Sequence, residues 1–326
     1  MIRHDVVENI FDMIDEMSLI LAKELQIGYL EAMCDACENI VNAEIMQKVD
    51  EHLHVKLFEM CKKISEIEPQ SEEVRKALQL AILKGLKSEN LSLDTMTPDS
   101  IAMIIGYLGE KLILDLEMAA VADLTVGAGN LLTAVLNTFK KMPSSIYGAD
   151  TDFGLIKIAK AMADMQDYEV QFFNQSSAQP LLMEPVDLII SDLPTSGIAG
   201  REDLDLDLVR AGCKYLPYLL IENHLCYLKP GGYAIYVVPN DLFSQSFSKE
   251  FHQIVSESAY IQMLLQLPES LFKDASLGKS LFVIRKKKTG LNAPSEALVV
   301  QLPPLNDPLK FSNTLTKVDD WIKINR

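Results

Sequence analysis

The sequence predicts an α/β protein in which a mostly parallel sheet, covered by helices, follows an all-helical N-terminal region. Residues 1 to about 90 place apolar side chains at helical spacing, and from Ala119 onward short apolar runs alternate with amphipathic helical segments. Such alternation is typical of a sheet whose ligands bind outside the carboxyl ends of its strands. We therefore predict a helical domain, residues 1–92, and an α/β domain, residues 93–326.

The composition is that of an ordinary globular protein, with 326 residues, 48% hydrophobic content and a net charge of −16. No uncharged apolar run reaches the roughly 18 residues of a membrane span. Asp5, Glu8 and Asp12 stand where a signal peptide would be basic, so we expect a cytoplasmic protein without membrane contact. The acidic charge opposes nucleic-acid phosphates at long range. The densest basic cluster, Arg285–Lys288, is predicted to be a solvated strand end.

Cysteine and histidine spacing indicates neither a disulfide framework nor a metal site. Five cysteines without regular spacing fit a reducing compartment. Cys34 and Cys37 form a C-x-x-C inside a helical segment, where we expect them to pack. His52 and His54 are two residues apart on a predicted helix, so they point to different faces and cannot hold one metal together. We assign no metal.

The N-terminal region is predicted to contain four or five helices. One apolar face of the first helix consists of Val6, Ile10, Ile14, Met17 and Leu21. Breaks are predicted near residues 26–28, 49–50 and 68–71, where Ser71 and Glu73 suit a helix start. The apolar faces pack either on each other or on a partner, so a protein partner or a homodimer bound through these helices is one of two alternatives that stay open.

A glycine turn between a strand and a helix is the first candidate ligand site. The run VADLTVGAGNLL, residues 121–132, leaves a strand at Asp123 and turns through Gly127 and Gly129 before a helix begins at Asn130. Glycines let the backbone approach a ligand closely, and a helix N-terminus offers N–H groups and a positive dipole. The same pattern also suits an ordinary tight turn, so other segments must decide.

Acidic residues end three of the predicted strands. These strands are residues 119–124, 145–150, 169–173, 186–191 and 233–238, and the acids are Asp123, Asp150 and Asp192. Asp150 ends the second strand, where a carboxylate can accept both hydrogen bonds from a ribose diol. A nucleoside-containing cofactor is therefore indicated. A nicotinamide dinucleotide is disfavoured, because its fingerprint wants a third glycine at Leu132.

Five segments between Met96 and about Lys288 occur in a telling order. They are MTPDSIAMII, DLTVGAGNLL, YGADTD, DLIISDLPTSG, and GGYAIYVVPNDLF together with LPESLFKDASLGKSLFVIRKK. In turn they resemble the Y-T-P motif, cofactor loop, ribose strand, [D/N]-P-P-[Y/F] motif and last strands of the N6-adenine-specific DNA methyltransferases of the methylation-subunit type. The resemblance implies a class I methyltransferase (Rossmann-like) seven-stranded mixed sheet with an N-terminal helical domain. Residues 260–267 and 279–285 would add two edge strands, the latter antiparallel.

By this resemblance the cofactor is S-adenosyl-L-methionine. The cofactor-binding residues it implies are Thr97, Asp123, Gly127, Gly129, Asp150 and Ser176. Thr97, predicted to cap a helix that runs to Leu112, would lie near the methionine end. Asp150 would take the ribose hydroxyls, and Ser176 stands where the family has an acid that binds the adenine amine of the cofactor.

The catalytic residues that the resemblance implies are Asp192, Leu193, Pro194 and Thr195. An exocyclic amine is a poor nucleophile because its lone pair is delocalised into the ring. The site must therefore accept hydrogen bonds from its N–H groups as the nitrogen pyramidalises. The Asp192 carboxylate and the Leu193 carbonyl would supply these acceptors. A target base in duplex DNA would have to be flipped into the pocket.

Several departures from the family pattern leave a second class of function open. Thr195 replaces a stacking aromatic worth about 1 to 3 kcal/mol per base, Leu193 replaces a proline, and Ser176 replaces an acid. The acidic segment of residues 201–210 would repel DNA phosphates. Only a short strand, residues 297–302, and a helical tail, residues 307–324, are predicted after Lys288, so we expect no target-recognition domain.

Two hypotheses therefore stand side by side. The first is an active methyltransferase that acts on DNA adenine, a protein amide or an RNA base, with DNA as one candidate partner. The second is a non-catalytic descendant of the family that binds S-adenosyl-L-methionine or works as an interaction protein. The two glycines, Asp150 and Asp192 favour the first, whereas Thr195 and Ser176 favour the second.

Overall fold

The structure is a computed structural model that describes residues 2–194, 204–274 and 277–326, with only the backbone of Asp94. Its helices are α1 His4–Leu25, α2 Tyr29–Asn42, α3 Glu51–Ser65, α4 Ser71–Ser88, α5 Asp99–Leu112, α6 Asn130–Thr138, α7 Phe153–Asp164, α8 Asp207–Arg210, α9 Leu216–His224, α10 Ser248–Ser258 and α11 Pro308–Asn325. Its strands are β1 Ala120–Asp123, β2 Ser145–Asp150, β3 Gln171–Asn174, β4 Val186–Asp192, β5 Leu228–Pro239, β6 Ala259–Gln266, β7 Lys279–Lys286 and β8 Leu298–Gln301.

The chain forms two compact units. The first comprises Met1–Met103, Val126–Thr138 and Gly148–Asn174, and the second comprises Ile104–Thr125, Phe139–Tyr147 and Gln175–Arg326. The first unit thus joins the N-terminal helices to α6 and α7, which belong to the predicted α/β region. A boundary at residue 92 stays a prediction.

The N-terminal helices of the first unit follow the predicted apolar pattern. Ile10, Ile14, Met17 and Leu21 of α1 are all fully buried, whereas Val6 is half-buried. The helix α3 begins after Asp50, whose carboxylate accepts a hydrogen bond from the Leu53 N–H at 2.8 Å. At α4 the Glu73 carboxylate accepts one from the Gln70 N–H at 3.0 Å. The described residues of this region thus form four helices where four or five were predicted, and the predicted breaks are confirmed.

The C-x-x-C cysteines lie on α2 against this helical core. Cys37 is buried within it and Cys34 packs at its edge. Burial raises the pKa of the Cys34 thiol to about 12 and holds the pKa of Cys37 well above its usual value. Both side chains are therefore protonated thiols that contribute packing.

The sheet has eight strands among the described residues, in the order β3-β2-β1-β4-β5-β7-β6-β8. β4 is parallel to β1 and β5, and its central residues are buried on both faces, as a helix-covered strand requires. β7 is antiparallel to β5 and β6, which confirms the predicted antiparallel strand. The predicted count of seven is one too low, because the apolar run near residues 297–302 forms β8 parallel to the edge strand β6.

The described helices show no membrane-spanning candidate, since none is both long and apolar enough to cross a bilayer.

Candidate active site

The glycine turn of the first unit is fixed to the end of β2. The Gly127 N–H donates to Asp150 Oδ2 at 3.0 Å, and the Val126 N–H donates to the Ala149 carbonyl at 2.9 Å. The other carboxylate oxygen of Asp150 accepts the Asp152 N–H at 3.0 Å. The structure therefore brings together Gly127 and Asp150, two residues that the sequence assigned to cofactor binding, and it orients the carboxylate at the strand end.

Each glycine of this turn has a local packing reason. Gly127 has φ +52° and Gly129 has φ +81°, conformations that favour glycine. A Cβ atom at Gly127 would lie 2.9 Å from the Thr95 carbonyl oxygen, and one at Gly129 would lie 3.0 Å from the Cα of Ala159 on α7. The glycines thus allow close approach of the protein's own backbone, a requirement that the sequence argument for ligand approach did not include.

Thr97 is held beside the start of α6 by its backbone. Its carbonyl accepts a hydrogen bond from Asn130 Nδ2 at 2.7 Å, and the residue is 5% exposed. The prediction that Thr97 caps α5 is wrong in position, because the helix begins at Asp99 and the Pro98 carbonyl accepts the Ala102 N–H at 3.1 Å. The proline removes a backbone donor at a helix start, where one is not needed.

The end of β4 carries Asp192 in the second unit. Its backbone carbonyl accepts a hydrogen bond from Thr125 Oγ1 at 3.1 Å, and the Leu193 N–H donates to the Val237 carbonyl at 3.0 Å. The Leu193 side chain is buried and Pro194 is half-buried, while Thr195 lies outside the described residues. The strand end is therefore anchored on both sides, with the Asp192 side chain partly open to solvent.

A lysine binds the Asp192 carboxylate directly. Lys279, the first residue of β7, places Nζ 2.7 Å from Asp192 Oδ1, and the two side chains are 20% and 12% exposed. This partly buried ion pair puts a full positive charge beside the proposed catalytic group. Sequence reasoning missed Lys279, although it lies inside the quoted segment LPESLFKDASLGKSLFVIRKK. The available signal was a basic residue that opens the strand.

Asp123 supports the turn after β1 from within the core. It is fully buried, and its Oδ1 accepts the Thr125 N–H at 3.2 Å. The neighbouring Leu124 N–H donates to Ser191 Oγ at 3.1 Å, which ties the end of β1 to the end of β4. Asp123 is thus placed to shape the backbone of its turn.

Ser176 begins a tight turn after β3. Its Oγ accepts the Ala178 N–H at 3.3 Å, and its carbonyl accepts the Gln179 N–H at 3.0 Å. The side chain is half-buried. A serine hydroxyl that accepts one hydrogen bond still has a proton to donate, which an ionised carboxylate at this position would lack.

A buried histidine holds the same turn from α9. Ser177 Oγ donates to the Leu124 carbonyl at 2.6 Å and lies 3.0 Å from His224 Nε2. Because the serine proton is used, Nε2 must carry the proton that it donates to Ser177. Burial lowers the pKa of His224 to about 3, so the ring is neutral. The sequence pattern did not point to this histidine, since its partner lies 47 residues away.

The basic cluster at the end of β7 serves the fold. Arg285, Lys286 and Lys287 donate to the backbone carbonyls of residues 231, 225 and 256 at 3.2, 2.7 and 2.6 Å. These three cations therefore satisfy backbone acceptors, a more structural role than the predicted solvated strand end. In the acidic segment, of which residues 204–210 are described, Arg210 pairs with both Asp205 and Asp207.

Two family models match the chain. Residues 94–317 match N-6 DNA Methylase, and residues 8–86 match the YtxK N-terminal helical domain. The chain belongs to the N-6 DNA methylase family. The resemblance seen in the sequence motifs is thereby confirmed.

Relatives agree with this assignment. The chain is 33% identical over 328 residues to the uncharacterized protein YtxK of Bacillus subtilis, with 98% of each chain covered. A crystal structure from Listeria monocytogenes, assigned to the class I S-adenosylmethionine-dependent methyltransferases, is 32% identical with a TM-score of 0.88. It is covered completely and covers 98% of this chain. The protein therefore has the class I methyltransferase fold with an N-terminal helical domain.

A more distant structure shares the fold alone. A modification subunit from Vibrio vulnificus, assigned to a type I restriction enzyme, has a TM-score of 0.61 and 15% identity. The alignment covers 88% of this chain and 65% of that one. The fold is therefore common to this chain and to that subunit, about a third of whose length lies outside the match.

Proposed function

We propose that this N-6 DNA methylase family member transfers a methyl group from S-adenosyl-L-methionine to the exocyclic amino group of adenine in DNA. The observation that carries the proposal is the Asp192 carboxylate, partly exposed at the anchored end of β4. It stands where the family motif requires a hydrogen-bond acceptor for the target amine. S-adenosyl-L-methionine, when bound, supplies a methyl group on a positively charged sulfur.

The first unit fits a ribose-containing cofactor at Asp150. A carboxylate offers about four lone-pair sites, and the N–H groups of Gly127 and Asp152 occupy one on each oxygen. The remaining sites can accept both hydroxyls of a ribose. The start of α6 adds the positive end of a helix dipole beside Asn130. Thr97, Gly127 and Gly129 are proposed to shape the same cradle through their backbone.

The family resemblance assigns two further cofactor roles, to Asp123 and Ser176. Asp123 holds the backbone of its turn from below. The Ser176 hydroxyl retains a proton to donate, so it would bind a ring nitrogen of the adenine moiety. The acid that the family has at this position would instead accept a hydrogen bond from the adenine amine. The single neutral hydrogen bond of Ser176 would contribute only about 1 kcal/mol.

Asp192 acts on the acceptor in this scheme. Its carboxylate accepts a hydrogen bond from the adenine amine, which draws the nitrogen lone pair out of the ring and towards the methyl group. Positive charge grows on that nitrogen as the new bond forms, and the negative carboxylate stabilises it. The proton would pass to the Asp192 carboxylate and from there to solvent after methylation has begun, because the amine is acidic only then. The Leu193 carbonyl is the proposed second acceptor, with Pro194 fixing the backbone that follows.

The Lys279 ion pair favours one alternative, a non-catalytic protein that binds the cofactor. The ammonium group 2.7 Å from Asp192 Oδ1 offsets part of the negative charge that the reaction needs. A protein amide and an RNA base also carry N–H donors that would bind the Asp192 carboxylate. They are therefore the other classes of methyl acceptor to be tested. A cytoplasmic location and a protein partner or second copy at the N-terminal helices stay predictions from the sequence.

Labelled methyl transfer tests the proposal. The full chain is incubated with methyl-labelled S-adenosyl-L-methionine and duplex DNA, with RNA and a glutamine-containing protein as parallel acceptors. We expect label on N6 of adenine in DNA, and its loss in Asp192→Ala. Label found only on RNA, or only on protein, would identify that molecule and not DNA as the methyl acceptor. No label on any acceptor, with cofactor binding intact, would establish the non-catalytic alternative.

A further inference from the structure

The largest fully buried side chain of the described residues is a charged one, Arg75 on α4. Its guanidinium binds both carboxylate oxygens of Glu72, at 2.7 and 2.6 Å. It also donates to Asp99 Oδ1 at 2.9 Å and to Asn130 Oδ1 at 2.7 Å. Asp99 begins α5, and Asn130 begins α6 directly after the glycine turn. One arginine of the N-terminal helical domain therefore contacts both helices that flank the proposed cofactor site in the first unit.

The charge of Arg75 is already balanced without Asn130. Glu72 and Asp99 provide two carboxylates, and Asp99 also binds Lys76 and Gln79 of α4. Burial raises the pKa of Asp99, but the hydrogen bonds from Arg75 and Lys76 outweigh it and bring the pKa to about 2. The Asp99 carboxylate is therefore ionised at neutral pH. The bond to Asn130 is an addition to a neutralised cluster, and its role must be sought at Asn130.

That bond dictates which way the Asn130 amide points. An arginine can only donate, so the amide atom that faces Arg75 must be the oxygen. The amide nitrogen then points the other way, where it donates to the Thr97 carbonyl at 2.7 Å. Asn130 is 1% exposed, so water cannot take over either bond. The reversed amide would set its NH₂ group against the guanidinium and its oxygen against the carbonyl.

We propose that Arg75 is a positioning residue for S-adenosyl-L-methionine, by which the N-terminal helical domain sets cofactor affinity. Arg75 orients Asn130, and Asn130 joins the start of α6 to Thr97, the residue assigned to the methionine end of the cofactor. The inference rests on the proposed cofactor use of this site. It gives the helical domain a role in binding, since Arg75 lies within residues 8–86, which match that domain.

Two single variants and a matched control test the link by calorimetric titration with S-adenosyl-L-methionine. Arg75→Lys keeps the charge and loses the planar fork, and Asn130→Asp keeps the acceptor for Arg75 and loses the donor to Thr97. Glu73→Gln is the control, because it breaks the ion pair of α4 with Arg3, 2.7 Å long, away from Asn130. We expect each single variant to weaken cofactor binding about tenfold or more. The control should lower the melting temperature and leave Kd within about twofold.

A double variant distinguishes positioning from general loss of stability. If Arg75 acts through Asn130, then Arg75→Lys combined with Asn130→Asp binds the cofactor no more weakly than Asn130→Asp alone. Should Arg75→Lys not fold, Arg75→Gln takes its place against the same control, because Asn130→Asp alone does not test the arginine. Unchanged Kd values in the variants would overturn the inference while the proposed function stands. No binding by the unaltered protein would overturn both.

Discussion

Two aspartates at strand ends of the sheet have opposite electrostatic surroundings. Asp150 at the end of β2 accepts hydrogen bonds from the backbone N–H groups of Gly127 and Asp152 and has no cation among the partners of those bonds. Asp192 at the end of β4 binds the ammonium group of Lys279, a positive charge that partly offsets the carboxylate. At the proposed cofactor side, Asp150 is therefore available to accept hydrogen bonds from hydroxyl groups. At the proposed methyl-acceptor side, the strength of Asp192 as a hydrogen-bond acceptor depends on its ion pair with Lys279.

The largest expected effect is on the acceptor side. Asp192→Asn should lower methyl transfer by about 100-fold or more, since it removes the negative charge that stabilises the developing positive nitrogen. Cofactor affinity should stay within about threefold, measured by titration. Asp187→Asn is the matched control, because Asp187 lies at the other end of β4 and also pairs with a lysine, Lys229, at 2.7 Å. Equal transfer rates for Asp192→Asn and the unaltered protein would remove the role given to Asp192.

The second largest effect is expected on the cofactor side. Asp150→Asn should weaken S-adenosyl-L-methionine binding by about 10- to 100-fold, because hydrogen bonds to a charged group contribute about 1.5 to 3 kcal/mol. Asp152→Asn tests the neighbouring acid, which caps α7 through the N–H groups of Gly154 and Leu155, and should leave Kd unchanged. If the two variants bind alike, Asp150 does not hold the ribose. The contrast between the two strand ends would then lose the role given to Asp150.

Local periodicity and strand-end chemistry predicted most of the fold. The bounds of β2 match the prediction at both ends, and β4 extends it by one residue. Buried apolar runs and helical faces are properties of contiguous residues, so a sequence displays them directly. The start of α5 was misplaced because element ends depend on single capping contacts. The strand near residues 297–302 was predicted, but its pairing with β6, which makes the sheet eight-stranded, was not.

The polar partners of the candidate site could not be predicted in this way. Lys279 is 87 residues from Asp192, and Arg75 is 55 residues from Asn130. No spacing rule links side chains that meet only after the sheet and helices have assembled. The residue types were visible, but charge pairs depend on tertiary positions that a single sequence does not contain. Thr195, assigned to the target pocket, lies outside the described residues.

A buried histidine gives the second unit an acid-sensitive stability. The pKa of His224 falls from an ordinary 6.5 to about 3 through burial, so below pH 6.5 the unfolded chain binds a proton that the folded one does not. Stability is therefore lost as pH falls from 6.5 towards 3. Between pH 7 and pH 5 the loss attributable to this group is about 2 kcal/mol. Unfolding by urea at both pH values measures it.

His224→Gln is the variant that isolates this term. Glutamine can still donate to Ser177 Oγ but does not titrate, so the difference in unfolding free energy between pH 7 and pH 5 should shrink by about 2 kcal/mol. His252→Gln, at an exposed position on α10, should leave the pH dependence unchanged. An unaltered pH dependence in His224→Gln would mean that the ring is not held neutral by burial.

The smallest effect is expected at the lysine that distinguishes the two strand ends. Lys279→Met should raise methyl transfer about tenfold, because it removes the positive charge that opposes Asp192, whereas Lys279→Arg retains the ion pair and should stay near the original rate. Rates at saturating cofactor separate this effect from binding. A fall in the methyl-transfer rate with Lys279→Met would show that the ammonium group helps the methyl acceptor to react. The charged groups at both strand ends would then contribute directly to ligand binding or reaction.

The central claim is that the cofactor side is intact and binds S-adenosyl-L-methionine. Calorimetric titration of the full chain at about 100 µM, performed at two temperatures so that a small binding enthalpy at one cannot hide the heat, tests it most directly. We predict saturable heat at one equivalent of cofactor, weakened in Asp150→Asn and preserved in Asp192→Asn. The absence of heat at both temperatures, with the protein folded, would contradict the claim.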